Sequence, residues 1–154
     1  MRLTTKESNR LFEGSFLSGD PYLQDFILKL DTDCDVERSV YNIVVRLGLS
    51  FDNYGTKYIL HSIVKTVCDM KCPENIKYFY LIAAERFSKS TRSVEVAITR
   101  TIANISTSKL KDVNVILGCE VFNSSVITAG EFMSKLCTAL IMCRCHEKGE
   151  TYFR

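Results

Sequence analysis

The chain has 154 residues, 46% hydrophobic and 25% charged, with two prolines and no Pro/Gly/Ser-rich linker. Such a chain can bury one core, and a single compact unit is expected. A formal net charge of +2 gives no global case for a polyanionic partner, so any such case rests on local charge.

In chain order, residues 1–37 read as an acidic extension in which Asp20, Asp25, Asp31, Asp33, Asp35 and Glu37 outnumber Lys29. Within it, Asp20 and Pro21 open a short amphipathic helix with Leu23, Phe26, Ile27 and Leu30 at helical spacing. The spacing of Val40, Ile43, Val44 and Leu47 predicts a helix over 37–47, stopped by Gly48 where a left-handed cap is needed. After a loop with Asp52, Asn53 and Gly55, a longer helix is predicted over about 56–70, with Ile59, Ile63, Val64 and Val67 inward. Pro73 predicts the first turn of the next helix, whose apolar face is Ile76, Phe79, Tyr80, Ala83, Ala84 and Phe87.

A polar break, Ser88, Lys89 and Ser90, leads into a helix with a serine and threonine start and an apolar stripe of Val94, Ile98, Ile102 and Ile105. At about 100° per residue, the opposite face carries Arg92, Val96, Thr99, Arg100 and Ala103. A helix near 110–117 ends at Gly118, and Thr128 with Glu131 fits a capping box for a last helix through Phe132, Leu136, Ala139, Leu140 and Cys143. Strand-like β-branched runs are nearly absent, so the fold class is all-α: six helices over 38–146, the acidic helical extension before them, and a tail at 147–154.

No apolar run reaches the ~18–20 residues that span a bilayer, and residues 1–5 lack the core of an export signal, so a cytoplasmic protein with no membrane contact is expected. The seven cysteines are odd in number and irregular in spacing, which favours reduced thiols; Cys68, Cys137 and Cys119 read as small buried hydrophobes. Cys143, Cys145 and His146 do not make a metal site, because residues two apart on a helix face different ways and no second pair stands at zinc-finger spacing. His61 reads as a packed or partly exposed side chain. No Gly-rich phosphate loop, Ser-His-Asp or Cys-His arrangement is present, so no catalytic residue, no metal, no cofactor and no enzyme activity are expected.

The chemistry that can be named lies between Arg86 and Lys111. Arg86, Lys89, Arg92, Arg100, Lys109 and Lys111 face a single acid, Glu95. Two helices around a short turn form the outline of a helix-turn-helix, in which the second helix enters the DNA major groove. Ser88, Ser90 and Thr91 offer hydroxyls and free backbone N–H groups to phosphate. Arg92 or Arg100 is suited to a guanine, Val96, Thr99 and Ala103 to thymine methyls, and Glu95 to a cytosine amino group. The plainer reading of this run is a solvated helix face.

Several stretches, in order, resemble the C-terminal DNA-binding domain of the sporulation-initiation response regulators, the stage-zero sporulation protein A family. They are Leu47-Gly48 with Gly55 and Tyr58; Ile76, Lys77 and Tyr80 with Ala84, Arg86 and Phe87; Val94-Glu95, Ala97-Ile98 and Ile102; then Leu117-Gly118, Val121 and Glu131-Phe132. The resemblance covers about residues 38–145. It implies a six-helix transcription regulator that binds a short box of duplex DNA, as a homodimer or as tandem copies. Family members also carry a receiver domain with a phosphorylatable aspartate, for which 37 residues are too few, so phosphorylation in cis is not expected. The family tends to place arginines at the positions matched by Ser93, Val96 and Thr99, none of them basic here. That departure keeps open a protein-interaction module that binds or sequesters a related full-length regulator. The acidic 20–37 segment is also expected to compete with phosphate for the basic helix.

Overall fold

The computed structural model describes residues 30–123 and 127–147; the helix expected over 21–30, apart from Leu30, lies outside them. Among the described residues there are six helices and no strand: α1 (Asp33–Arg46), α2 (Tyr54–Cys68), α3 (Lys77–Phe87), α4 (Thr91–Ala103), α5 (Thr107–Leu117) and α6 (Ala129–Glu147). None of them is long and apolar enough to cross a membrane.

Local chemistry sets most helix ends. Side chains of Thr32, Asn53, Ser90, Ser106 and Thr128 accept from backbone N–H groups in the first turns of α1, α2, α4, α5 and α6. Gly48 and Gly118 take the left-handed conformation that closes α1 and α5. Two starts differ from the sequence expectation. Thr32 draws the beginning of α1 back to Asp33, so the boundary placed at 37/38 falls inside this helix. Pro73 lies in the loop before α3; Asn75 accepts from Lys77 N–H at 2.9 Å and turns the chain into the helix.

α2 is the hub, packing against α1, α3, α4 and α6, while α5 rests on α1. Ile59, Ile63 and Val67 of α2 are buried against Val40 and Ile43 of α1, Phe79 and Ala83 of α3, Ile98 of α4 and Leu136 and Leu140 of α6 in one cluster. Full burial of each large aliphatic contributes about 1.5–3 kcal/mol. Two polar ties cross this core. Ser62 Oγ donates to the Phe79 carbonyl at 2.9 Å. The guanidinium of Arg144, whose side chain is only 4% exposed, donates to Asp33 at 2.6 Å and to the Val67 carbonyl at 3.4 Å. Asp33 therefore ties α1 to α6 rather than standing near the basic helix.

Cys34, Cys68, Cys72, Cys119 and Cys137 are thiols outside any disulfide. Cys137 is buried and Cys68 half-buried, but Cys119 is exposed, because the left-handed turn at Gly118 takes the chain off α5 before it. Burial, then the neighbouring Cys72, pushes the Cys137 thiol far up and keeps it protonated.

Candidate nucleic-acid interface

α3 and α4 meet at residues 88–90, where three local devices make the corner. Ser88 stands at φ 54°, left-handed, and Lys89 N–H returns to the Ala84 carbonyl at 3.0 Å, ending α3. Ser90 then takes an extended conformation, and its Oγ accepts from Ser93 N–H at 3.1 Å, starting α4. Ser90 Oγ also donates to Ser93 Oγ at 3.0 Å. The hydroxyls of Ser90 and Ser93 are thus engaged with each other, and these two residues are exposed along with Ser88, Lys89 and Thr91.

On α4 the inner stripe of Val94, Ile98 and Ile102 is buried, joined by Thr101, whose hydroxyl donates to the Ala97 carbonyl at 2.8 Å. Arg92, Thr99, Arg100 and Ala103 are exposed and Val96 half-buried. Arg92 and Arg100 stand about 80° apart around the helix and about 12 Å apart along it, with Val96 between them. Neither forms an ion pair among the described residues, and a guanidinium is suited to a planar acceptor.

Glu95 and Thr99 lie on the flank of α4 that faces α3, beside Tyr80. The Tyr80 hydroxyl is pushed above its ordinary pKa by burial and then by the Glu95 charge, while a hydrogen bond with Thr99 acts in the opposite sense. A buried tyrosine of α3 thereby feels two of the residues expected to contact DNA. Its place in the apolar stripe of α3 gave no sign of that second contact.

The opposite flank of α4 meets α2. Gly55 lies so close that a Cβ there would stand 2.5 Å from the Ala97 carbonyl oxygen and collide with Thr101 Oγ1. Only glycine permits this approach. Lys109 and Lys111 belong to α5. Two residues apart on α5, they point about 200° away from each other. The Lys109 chain runs past Gly48 at the end of α1, and Lys111 lines a groove of about 750 Å³ with Asn114, Gly118 and Phe122. Asn114 holds the wall of that groove by donating to the Phe122 carbonyl at 2.7 Å and accepting from Val121 and Phe122 N–H at 2.9 and 2.8 Å.

His61 packs edge-on against Phe87 with ring centroids 5.8 Å apart. Burial, then the charges of Arg86 and Lys65, hold its imidazole below the ordinary pKa. Among the described residues no three His, Cys, Asp or Glu side chains stand where they would hold a metal ion. No protein-family model, no curated protein and no solved structure matches this chain.

Proposed function

We propose that this protein is a transcription regulator that binds duplex DNA through a helix-turn-helix formed by α3 and α4, like the sporulation-regulator effector domains it resembles. The observation that carries the reading is the outer face of α4, with Arg92 and Arg100 exposed and in no ion pair among the described residues, beside a tight, hydroxyl-rich turn. A helix of this kind fits a major groove about 12 Å wide. Ser88, Lys89 and Thr91 hold phosphates at the helix start, which positions the protein without reading sequence. Arg92 and Arg100 donate to guanine edges, each bidentate pair giving about 1–3 kcal/mol of discrimination. Val96 and Ala103 offer methyls to thymine. Tandem copies or a homodimer would lengthen the site read.

A second reading has its own observation. Val96 and Ala103 lie in the middle of the outer face, and Tyr80 feels Glu95 and Thr99. A face so composed also suits a protein partner such as a related full-length regulator.

The test is selection from random duplex DNA at two salt concentrations. A DNA reader enriches a box, loses affinity as salt rises because binding releases counterions, and loses the box in an Arg92→Ala, Arg100→Ala double variant. Absent enrichment, or retention indifferent to salt, removes the DNA reading and leaves the interaction module.

A further inference from the structure

We propose that a second basic and aromatic surface, formed by the first turn of α2 and the end of α3, grips the sugar–phosphate backbone flanking the groove that α4 reads. This inference rests on the DNA-binding reading and extends its contacts to Tyr54, Lys57 and Arg86.

The surface is a connected run of rings and cations. Lys57 Nζ stands 4.9 Å from the centre of the Tyr54 ring. Tyr54 lies 6.1 Å from Tyr58, and Tyr58 meets Phe87 edge-on at 5.1 Å. The Arg86 guanidinium stands 5.6 Å from the Phe87 ring centre. The inner rings are anchored, since Tyr58 is buried and Phe87 half-buried, while Tyr54 remains 57% exposed and Arg86 is exposed. Tyr54 is a large exposed ring beside the half-buried Lys57, and Arg86 stands at the Phe87 end of the same run. Tyrosine hydroxyls, lysines and arginines are the common donors to phosphate oxygens. Ring contact also limits how far Lys57 and Arg86 range, so less freedom is lost on binding.

Position points to the same duplex. Gly55, next to Tyr54, abuts the Ala97 carbonyl of α4. Arg100 lies about 60° around α4 from Ala97, on the edge of the reading face nearest α2. At the other end of the run, Phe87 directly precedes the turn at 88–90. With α4 in the groove, the strand passing on the α2 side meets Tyr54 at the exposed start of α2, Lys57 reaches it across the Tyr54 ring, and Arg86 continues the contact toward the turn. Arg86 also acts on His61 of α2: after burial, its charge and that of Lys65 hold the imidazole pKa down against the opposing Glu37. Lys65 stays out of the grip because it faces Asp69 at 3.6 Å.

The experiment measures affinity of the full chain for the selected box and for a scrambled duplex across a salt series. Lys57→Gln and Arg86→Gln should each weaken both duplexes alike, roughly eightfold at 0.1 M salt, and flatten the log–log salt slope by about 0.9. Tyr54→Phe should weaken both as well, and Lys57→Arg should restore wild-type behaviour. Lys77→Gln, exposed at the far end of α3, should change nothing, and thermal melts show that each variant is folded. The α4 double variant loses preference for the box instead, which separates the two surfaces. If wild type binds and the α4 variant behaves as stated, unchanged affinity and slope for Lys57→Gln and Arg86→Gln overturn the backbone grip. So does a loss confined to the box. A wild-type chain that binds neither duplex removes the DNA-binding reading, and the grip with it.

Discussion

His61 shows how one side chain senses the packing of three helices. In α2, it touches Phe87 of α3 and feels the cations of Arg86 and Lys65, with Glu37 of α1 acting in the opposite sense. The unfolded chain takes up a proton near the ordinary value of 6.5, while the folded chain does so only at lower pH. In that window the unfolded state binds more protons, so stability rises with pH. The contribution is fully present above about 6.5 and is lost as pH falls through the folded value. The stability of wild type relative to His61→Gln should therefore decline between pH 7 and pH 5 in denaturant titrations. A difference flat across that range would show that the imidazole is as free to ionise as in the unfolded chain. Periodicity along α2 was enough to place His61 beside an apolar face. It carried no information about Phe87 or Arg86, which arrive from a different helix. Ser88 is a similar case: a serine gives no local sign of a left-handed backbone, yet the corner requires one, at a strain of about 1–2 kcal/mol.

Among the elements, the crossing of α2 and α4 decides where the outer face of α4 points. The close approach at Gly55 lets the two backbones come nearly into contact, with Thr101 Oγ1 and the Ala97 carbonyl filling the space a Cβ would need. In Gly55→Ala, neither the carbonyl nor the capped helix start can yield cheaply, so α4 must shift outward. A loss of about 1–3 kcal/mol is expected by denaturation, in the range of overpacked cores. Weaker DNA affinity should accompany it, since Arg100 moves with the helix. An unchanged midpoint would mean that the approach is not required. The sequence marks Gly55 as a loop residue near a helix start. Its role as a contact across helices depends on Ala97, 42 positions along the chain, and no local pattern encodes that.

For the whole molecule, the described end of the acidic segment has a part in the fold. Asp33 binds Arg144, and Val36 is fully buried in the core. Removing residues 1–36 should accordingly lower the melting temperature, because it takes away the first turn of α1 and leaves the Arg144 guanidinium without its carboxylate. Losing one partner of a buried ion pair is costly, though the exposed side of Asp33 moderates the effect. Trimming only residues 1–29 leaves that tie intact and is the fairer probe of an acidic competitor. Equal melting temperatures for the two shortened chains would show that the pair contributes nothing measurable.

Six helices, most of their caps and the inner and outer faces of α4 were readable from the sequence. Each depends on interactions within about four residues: the hydroxyl of Ser90 on Ser93 N–H, the left-handed turn at Gly118, and the recurrence of Val94, Ile98 and Ile102. Helix starts were misread where two local signals competed, as when Asn75 rather than Pro73 opens α3. The tertiary structure alone decided which exposed residues share a surface. It brought Arg144 to Asp33, put the Glu95 charge near Tyr80, parted Lys109 from Lys111, and set Gly55 against α4. Those placements follow from how helices pack around a common core, and chain periodicity specifies which face of a helix is buried but not which neighbour covers it.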